Sequence, residues 1–120
     1  MSELLLPWPP AACSPNQRVH WSKKAKATKR YRADCHLLAK QAGIIAPVGE
    51  LLVKMEFVPP DARRRDLDNL LSACKGLLDG IADALKVDDR HFVPQLRMSK
   101  ETTKGGAVRV RIEALAGEAA

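Results

Sequence analysis

The chain has 120 residues, a formal net charge of +6 and 46% apolar residues. That length fits one domain, 1–120, with a real core, and it excludes two ordinary domains or wholesale disorder. No apolar run approaches the roughly 20 residues of a membrane span, and cysteines 13, 35 and 74 form neither a disulfide framework nor a zinc pattern.

The first strand is expected over Leu4–Pro10, confined to a sheet edge by Pro7 and Pro9. Its Leu4–Leu6 run stops at Pro7 and lacks a basic lead, so it does not read as a secretory signal; with the cysteine pattern, this points to a reducing cytoplasm. Residues 11–20 form a loop with turn signals at Ser14-Pro15-Asn16. Ser22 stands where it can cap a helix running to about Gln41 and stopping near Gly43. Along it Tyr31, Cys35, Leu38 and Ala42 recur at helical spacing, with Lys and Arg over much of the rest.

Leu51–Val58 alternates like a strand and ends at Pro59-Pro60. Residues 61–65 form a loop carrying Arg63-Arg64-Arg65. One long helix is expected over 67–86, its apolar stripe built from Leu67, Leu70, Leu71, Cys74, Leu77, Leu78, Ile81 and Leu85. Val87-Asp88-Asp89 reads as a turn. Phe92–Met98 and Ala107–Ala114 read as strands joined by a hairpin connection over Lys100–Gly106, followed by a frayed tail over 115–120. The order β-α-β-α-β-β predicts an α/β (α+β) fold: a small mixed sheet with two packed helices. So small a domain buries little surface, so dimerisation would supplement it.

Charge divides this chain unevenly. Residues 1–45 hold eight Lys or Arg against Glu3 and Asp34, which is the whole excess, while 46–120 balance at twelve of each sign. Seven of the eight Asp lie between 61 and 89. Basic surface points to a polyanion such as nucleic acid, and clustered Asp to a hard cation.

An Asp at a helix start is ordinarily an N-cap, but one cap cannot use both Asp66 and Asp68, nor both Asp88 and Asp89. On the expected helix, Asp68, Ser72, Lys75 and Asp79 fall at i, i+4, i+7 and i+11, a strip about 60° wide. The plain account of Lys75 and Asp79 is an exposed ion pair. Should the chain after the helix run back past Asp66, several carboxylates would meet beside a lysine. Such a group needs a cation to offset its repulsion. A few carboxylates suffice for Mg²⁺, and basic surface around them points to metal-assisted phosphodiester hydrolysis. A charged helix cap and an ordinary solvated face remain the alternatives.

Arg-Arg-Arg-Asp-Leu-Asp-Asn-Leu (63–70), Lys-Gly-Leu-Leu-Asp (75–79) and Val-Asp-Asp (87–89) resemble the signature of the RusA family of Holliday-junction resolvases. Leu-Pro-Trp-Pro-Pro (6–10), Ser-Pro-Asn (14–16) and Thr-Lys-Gly-Gly (103–106) resemble its N-terminal strand and loop and its late hairpin. The resemblance implies a homodimeric, phage- or prophage-type endonuclease that makes paired cuts in four-way DNA junctions during recombination and repair. It implies Mg²⁺, with Mn²⁺ as substitute. By position, the family's essential acids fall on Asp66, Asp68 and Asp89, with Asp88 adjacent as a further metal ligand. The family's active-site lysine lies one turn after the second Asp, where this chain has Ser72; Lys75 keeps the Lys-x-x-x-Asp context two turns along. Arg65 resembles a position tied to DNA binding. With Arg63, Arg64, Lys23, Lys24, Lys26, Lys100 and Lys104, it makes up the expected DNA contacts.

Two competing expectations follow from the same residues. One is a non-catalytic junction-binding module, motivated by Ser72. The other is a metal-dependent phosphoesterase acting on flaps or other branched nucleic acid.

Overall fold

The computed structural model describes residues 2–15 and 17–115. Strand β1 spans Ser2–Pro7, helix α1 Trp21–Ala42, β2 Leu51–Val58, α2 Leu67–Ala73, α3 Lys75–Leu85, β3 Phe92–Met98 and β4 Ala107–Ala114. Short 3₁₀ turns cover Ala11–Cys13 and Asp89–His91. The expected mixed α+β architecture is observed; of the expected 115–120 tail, residues 116–120 lie outside the described residues.

The sheet order is β1-β4-β2-β3. β4 runs antiparallel to both β1 and β2, and β2 runs parallel to β3. The expected hairpin between β3 and β4 is therefore corrected: β2 lies between them, and residues 99–106 cross over it. Parallel β2 and β3 need a crossover, which α2 and α3 supply. The proline-bearing strands β1 and β3 are the two edges, where a missing N–H costs no ladder bond.

One face of the sheet makes the core. Leu51, Val53, Met55 and Phe57 alternate inward from β2, and Val108, Val110 and Ile112 from β4. They meet Leu4 and Leu6 of β1, Tyr31, Cys35 and Ala39 of α1, and Leu77 and Ile81 of α3. Trp8 packs edge-on against Phe57 at 6.1 Å. The Tyr31 hydroxyl donates to the Pro7 carbonyl at 2.6 Å, pinning α1 to the end of β1.

Two helix boundaries differ from expectation. The cap of α1 is His20, whose ring accepts from the Ser22 amide, and not Ser22 itself. Gly43 ends α1 in the left-handed region, φ 65°, as a terminal glycine can. The single helix expected over 67–86 is two helices, giving three α-helices among the described residues where two were expected. They break at Cys74, whose amide meets carbonyls of the preceding turn. The continuous apolar stripe hides this break, because both halves still turn the same side to the core.

Helices α1 and α3 approach each other closely. A Cβ on Gly80 would stand 2.5 Å from the Arg32 carbonyl and 2.9 Å from the His36 amide nitrogen, and one on Gly76 would stand 2.8 Å from the Thr28 carbonyl. The two glycines are therefore present for packing, against their helix propensity.

Candidate active site

The segment that follows β2 is held by its own charges. Asp61 accepts from the Arg63 amide at 3.0 Å and from the guanidinium groups of Arg63 and Arg65 at 3.2 and 2.8 Å. The Arg63 bonds, with those from Arg65, pull the Asp61 carboxyl down to about 2. Arg65 also donates to the carbonyls of Asp61 and Arg63 and lies over the Trp8 ring at 5.4 Å. Its side chain is only 15% exposed, so it braces the loop from within. Arg63 is paired but 80% exposed, and Arg64 is exposed.

That brace delivers Asp66 to the start of α2. Asp66, and not Asp68, is the cap: its Oδ1 accepts from the Asp68 and Asn69 amides at 2.8 and 3.4 Å. A capping carboxylate satisfies amides that have no partner within the helix. Asp68 is left exposed in the first turn, and Ser72 is exposed one turn later.

The second group of charges forms around α3. Lys75 stands 3.6 Å from Asp79, and Arg32 of α1 reaches Asp79 at 3.9 Å. Arg32 grips Asp83 with two bonds of 2.6 and 2.8 Å, which hold the Asp83 carboxyl below its usual range. After α3, Lys86 takes a left-handed conformation, φ 57°, and the chain doubles back. Asp88 is used as the cap of the following 3₁₀ turn, accepting from the Arg90 amide at 2.9 Å. Asp89 is thereby free to return beside Asp79.

Interaction with the neighbouring Asp79 carboxyl raises the Asp89 carboxyl above its ordinary range. Asp79 and Asp88 repel its charged form, while Lys75 favours it. A cation would offset the repulsion between two neighbouring carboxyls, and all-oxygen donors suit a hard divalent ion.

Lys75, Asp79, Asp89 and Arg32 are thus brought together. Asp66 and Asp68 stand at the start of α2, on the other side of the break at Cys74 from Lys75. Among the described residues, no three His, Cys, Asp or Glu side chains are close enough together to hold a metal ion. Sequence reasoning left Asp79 and Arg32 out of the site. Asp79 had a signal, its place four residues after Lys75; Arg32 had none, since its partner Asp83 lies 51 residues away.

Lys23 and Lys26 are exposed on α1, Lys24 donates to the Ser14 carbonyl at 3.5 Å, and Lys100 and Lys104 are exposed on the crossover. Cys35 and Cys74 are buried, and burial raises both thiols to about 12, so neither is a nucleophile at neutral pH.

The family model for the endodeoxyribonuclease RusA matches residues 7–113. An uncharacterized protein of Xylella fastidiosa (strain Temecula1) is 40% identical over 123 residues, covering 99% of this chain and 80% of that protein. The crossover junction endodeoxyribonuclease RusA of Escherichia coli K12 is 32% identical, covering 96% of each chain. The corresponding protein of Enterobacteria phage HK97 is 28% identical, covering 94% of each.

Proposed function

The chain belongs to the RusA family of endodeoxyribonucleases, and from that premise we propose how it grips and cuts its substrate. It is a structure-specific junction endonuclease, acting on DNA phosphodiester bonds in recombination. The observation that carries the mechanism is Asp79 held between Lys75 at 3.6 Å and Arg32 at 3.9 Å, with the Asp89 carboxyl near enough to feel its charge.

On the family resemblance, Asp66, Asp68 and Asp89 are the proposed holders of Mg²⁺, with Asp88 and Asp79 adjacent to Asp89; no three of them are gathered as they stand, so binding the ion would have to draw them together. When bound, such an ion would supply charge to offset that of the cleaved phosphate and would make water a stronger nucleophile. Asp79 holds the Lys75 ammonium at 3.6 Å while leaving it 73% exposed. From there Lys75 can meet a non-bridging phosphate oxygen as charge builds on it. Arg32, locked onto Asp83, keeps Asp79 in place from the α1 side. Arg63, Arg64, Lys23, Lys24, Lys26, Lys100 and Lys104 bind flanking phosphates, which fix position and carry no sequence information. Arg65 acts from inside its loop by positioning Asp66.

A junction with two-fold symmetry suits a C2 homodimer with two such sites and paired incision. No helix among the described residues is long and apolar enough to cross a membrane. Buried free thiols at Cys13, Cys35 and Cys74 support a reducing cytoplasm as the setting, with repair and a prophage origin as the biological context.

The experiment is cleavage of a synthetic four-way junction with Mg²⁺ by the wild type and Asp68→Asn. The wild type should cut both strands, and the variant should bind but cut at least about 100-fold more slowly. If the wild type stays at the buffer background across metals and salt, the enzyme reading fails. Binding without cutting would instead favour the non-catalytic module, for which Ser72 in the lysine position is the supporting feature.

A further inference from the structure

A groove of about 470 Å³ runs beside the acid pair, with α1 as its floor and Asp79 of α3 at one end. Trp21, Lys24, Thr28 and Arg32 fall at i, i+3, i+7 and i+11 on α1, one continuous stripe. The small side chains of Ala25 and Thr28 leave the channel open, and Lys24 and Lys29 give it positive charge. At the end away from Asp79 stands Trp21, 75% exposed. An indole is among the largest apolar surfaces a protein can bury. Here it is left in water at the mouth of a basic groove. Its ring sits 5.4 Å from that of His20, which is itself fixed by two bonds to Ser22, at 2.7 and 3.2 Å.

We propose that this groove carries one DNA strand away from the cutting site and that Trp21 stacks on an exposed base of that strand. The inference rests on the junction-endonuclease reading and adds a positioning residue to it. Stacking on an aromatic ring tolerates any base but needs one whose face is free, as at a branch and not inside an intact duplex. Trp21 therefore contributes to structure selectivity where the lysines cannot. Eleven residues of helix separate Trp21 from Arg32, roughly 16 Å. At about 3.4 Å per stacked nucleotide of one strand, this places the stacked base about five nucleotides from the cut. An unstacked, extended strand would cover the distance in fewer.

The test compares wild type, Trp21→Ala and Trp21→Phe on a four-way junction and on linear duplex of the same sequence. 2-Aminopurine is placed singly at two to six nucleotides from the cut. Trp21→Ala should bind the junction about tenfold more weakly, bind duplex within about twofold, and change the 2-aminopurine signal at one position only. Trp21→Phe should regain most of the affinity. Equal junction affinity and an unchanged 2-aminopurine profile in Trp21→Ala overturn the stacking role. So does a fall in thermal midpoint with equal losses on junction and duplex, which marks a structural role. Failure of the wild type to bind or cut junctions removes the functional reading, and this inference with it.

Discussion

The two sides of this small sheet handle charge in opposite ways. On the open side, away from the helices, Arg109 and Arg97 flank Glu56 at 2.9 and 3.8 Å, Arg111 meets Glu3 at 2.8 Å, and Lys54 meets Glu113 at 3.2 Å. Glu101 pairs with Arg109 at the rim at 3.6 Å. Four acids face four bases, and the face is neutral. On the helical side, Lys23 and Lys26 stand exposed on α1, while Asp79 and Asp89 crowd together at α3. A cross-strand partner stands about 5 Å away on a pleated sheet and cancels its neighbour. A helix instead fans its side chains outward and leaves a field. Counting charges along the chain does not separate the two sides; counting unpaired charges does.

The sharpest way to break the contrast is one isosteric change on each side. Asp89→Asn should lower junction cleavage at least about 100-fold, whereas Glu56→Gln on the paired face should leave it within about twofold, read from single-turnover rates. Next come the packing differences. Gly80→Ala forces a methyl group against the Arg32 backbone and should cost about 2–3 kcal/mol in urea unfolding. Leu5→Ala on the open face should stay within about 0.5 kcal/mol, because Leu5 is already exposed.

The contrast in field should appear in salt dependence. Lys23→Ala with Lys26→Ala should make the slope of log affinity against log salt shallower by about 2, since each lost phosphate contact removes about 0.9. Replacing Arg109 and Arg111 by Ala should leave that slope unchanged.

The smallest effect lies in acid. Arg32 depresses the Asp83 carboxyl, and Arg63 and Arg65 bring that of Asp61 from 3.8 to about 2. A carboxyl depressed by folding stabilises the fold above its unfolded value and loses that contribution as pH falls through its folded value. The thermal midpoint should therefore drop between about pH 4 and pH 2, and Asp61→Asn should flatten part of that drop. Solvent screens so exposed a pair, so the change should be slight.

Much of the fold was legible because local pattern and tertiary role agree. The bounds expected for the strands Leu51–Val58, Phe92–Met98 and Ala107–Ala114 match the observed ones residue for residue. The prolines placed β1 at an edge. What escaped was set by distant partners. A crossover and a hairpin leave the same loop signals over residues 100–106, so the insertion of β2 between β3 and β4 had no local trace. The break at Cys74 is masked by an unbroken apolar stripe.

The site divides in the same way. That one cap cannot use both Asp66 and Asp68, nor both Asp88 and Asp89, followed from elementary hydrogen bonding; Asp66 and Asp88 cap, leaving Asp68 and Asp89 exposed. The triple arginine read as one basic cluster, yet Arg65 is turned inward onto Asp61 and Trp8, which only the loop's fold decides. Asp79 lay on the right strip, but its partner Asp89 depends on the reversal at Lys86.

The first strand has a single partner in the sheet, and that partner is the last. Ser2 through Pro7 pair with Ile112 through Ala107 and with no other strand. During synthesis β1 must therefore wait, unzipped, until β4 has emerged. Contacts of such sequence separation slow the search for the native state. The same pairing brings the two ends of the fold alongside each other, as tolerant circular permutation requires. A permutant joined across those ends and reopened at Gly105 would convert β1 and β4 into a local hairpin, letting the sheet close from its neighbours outward.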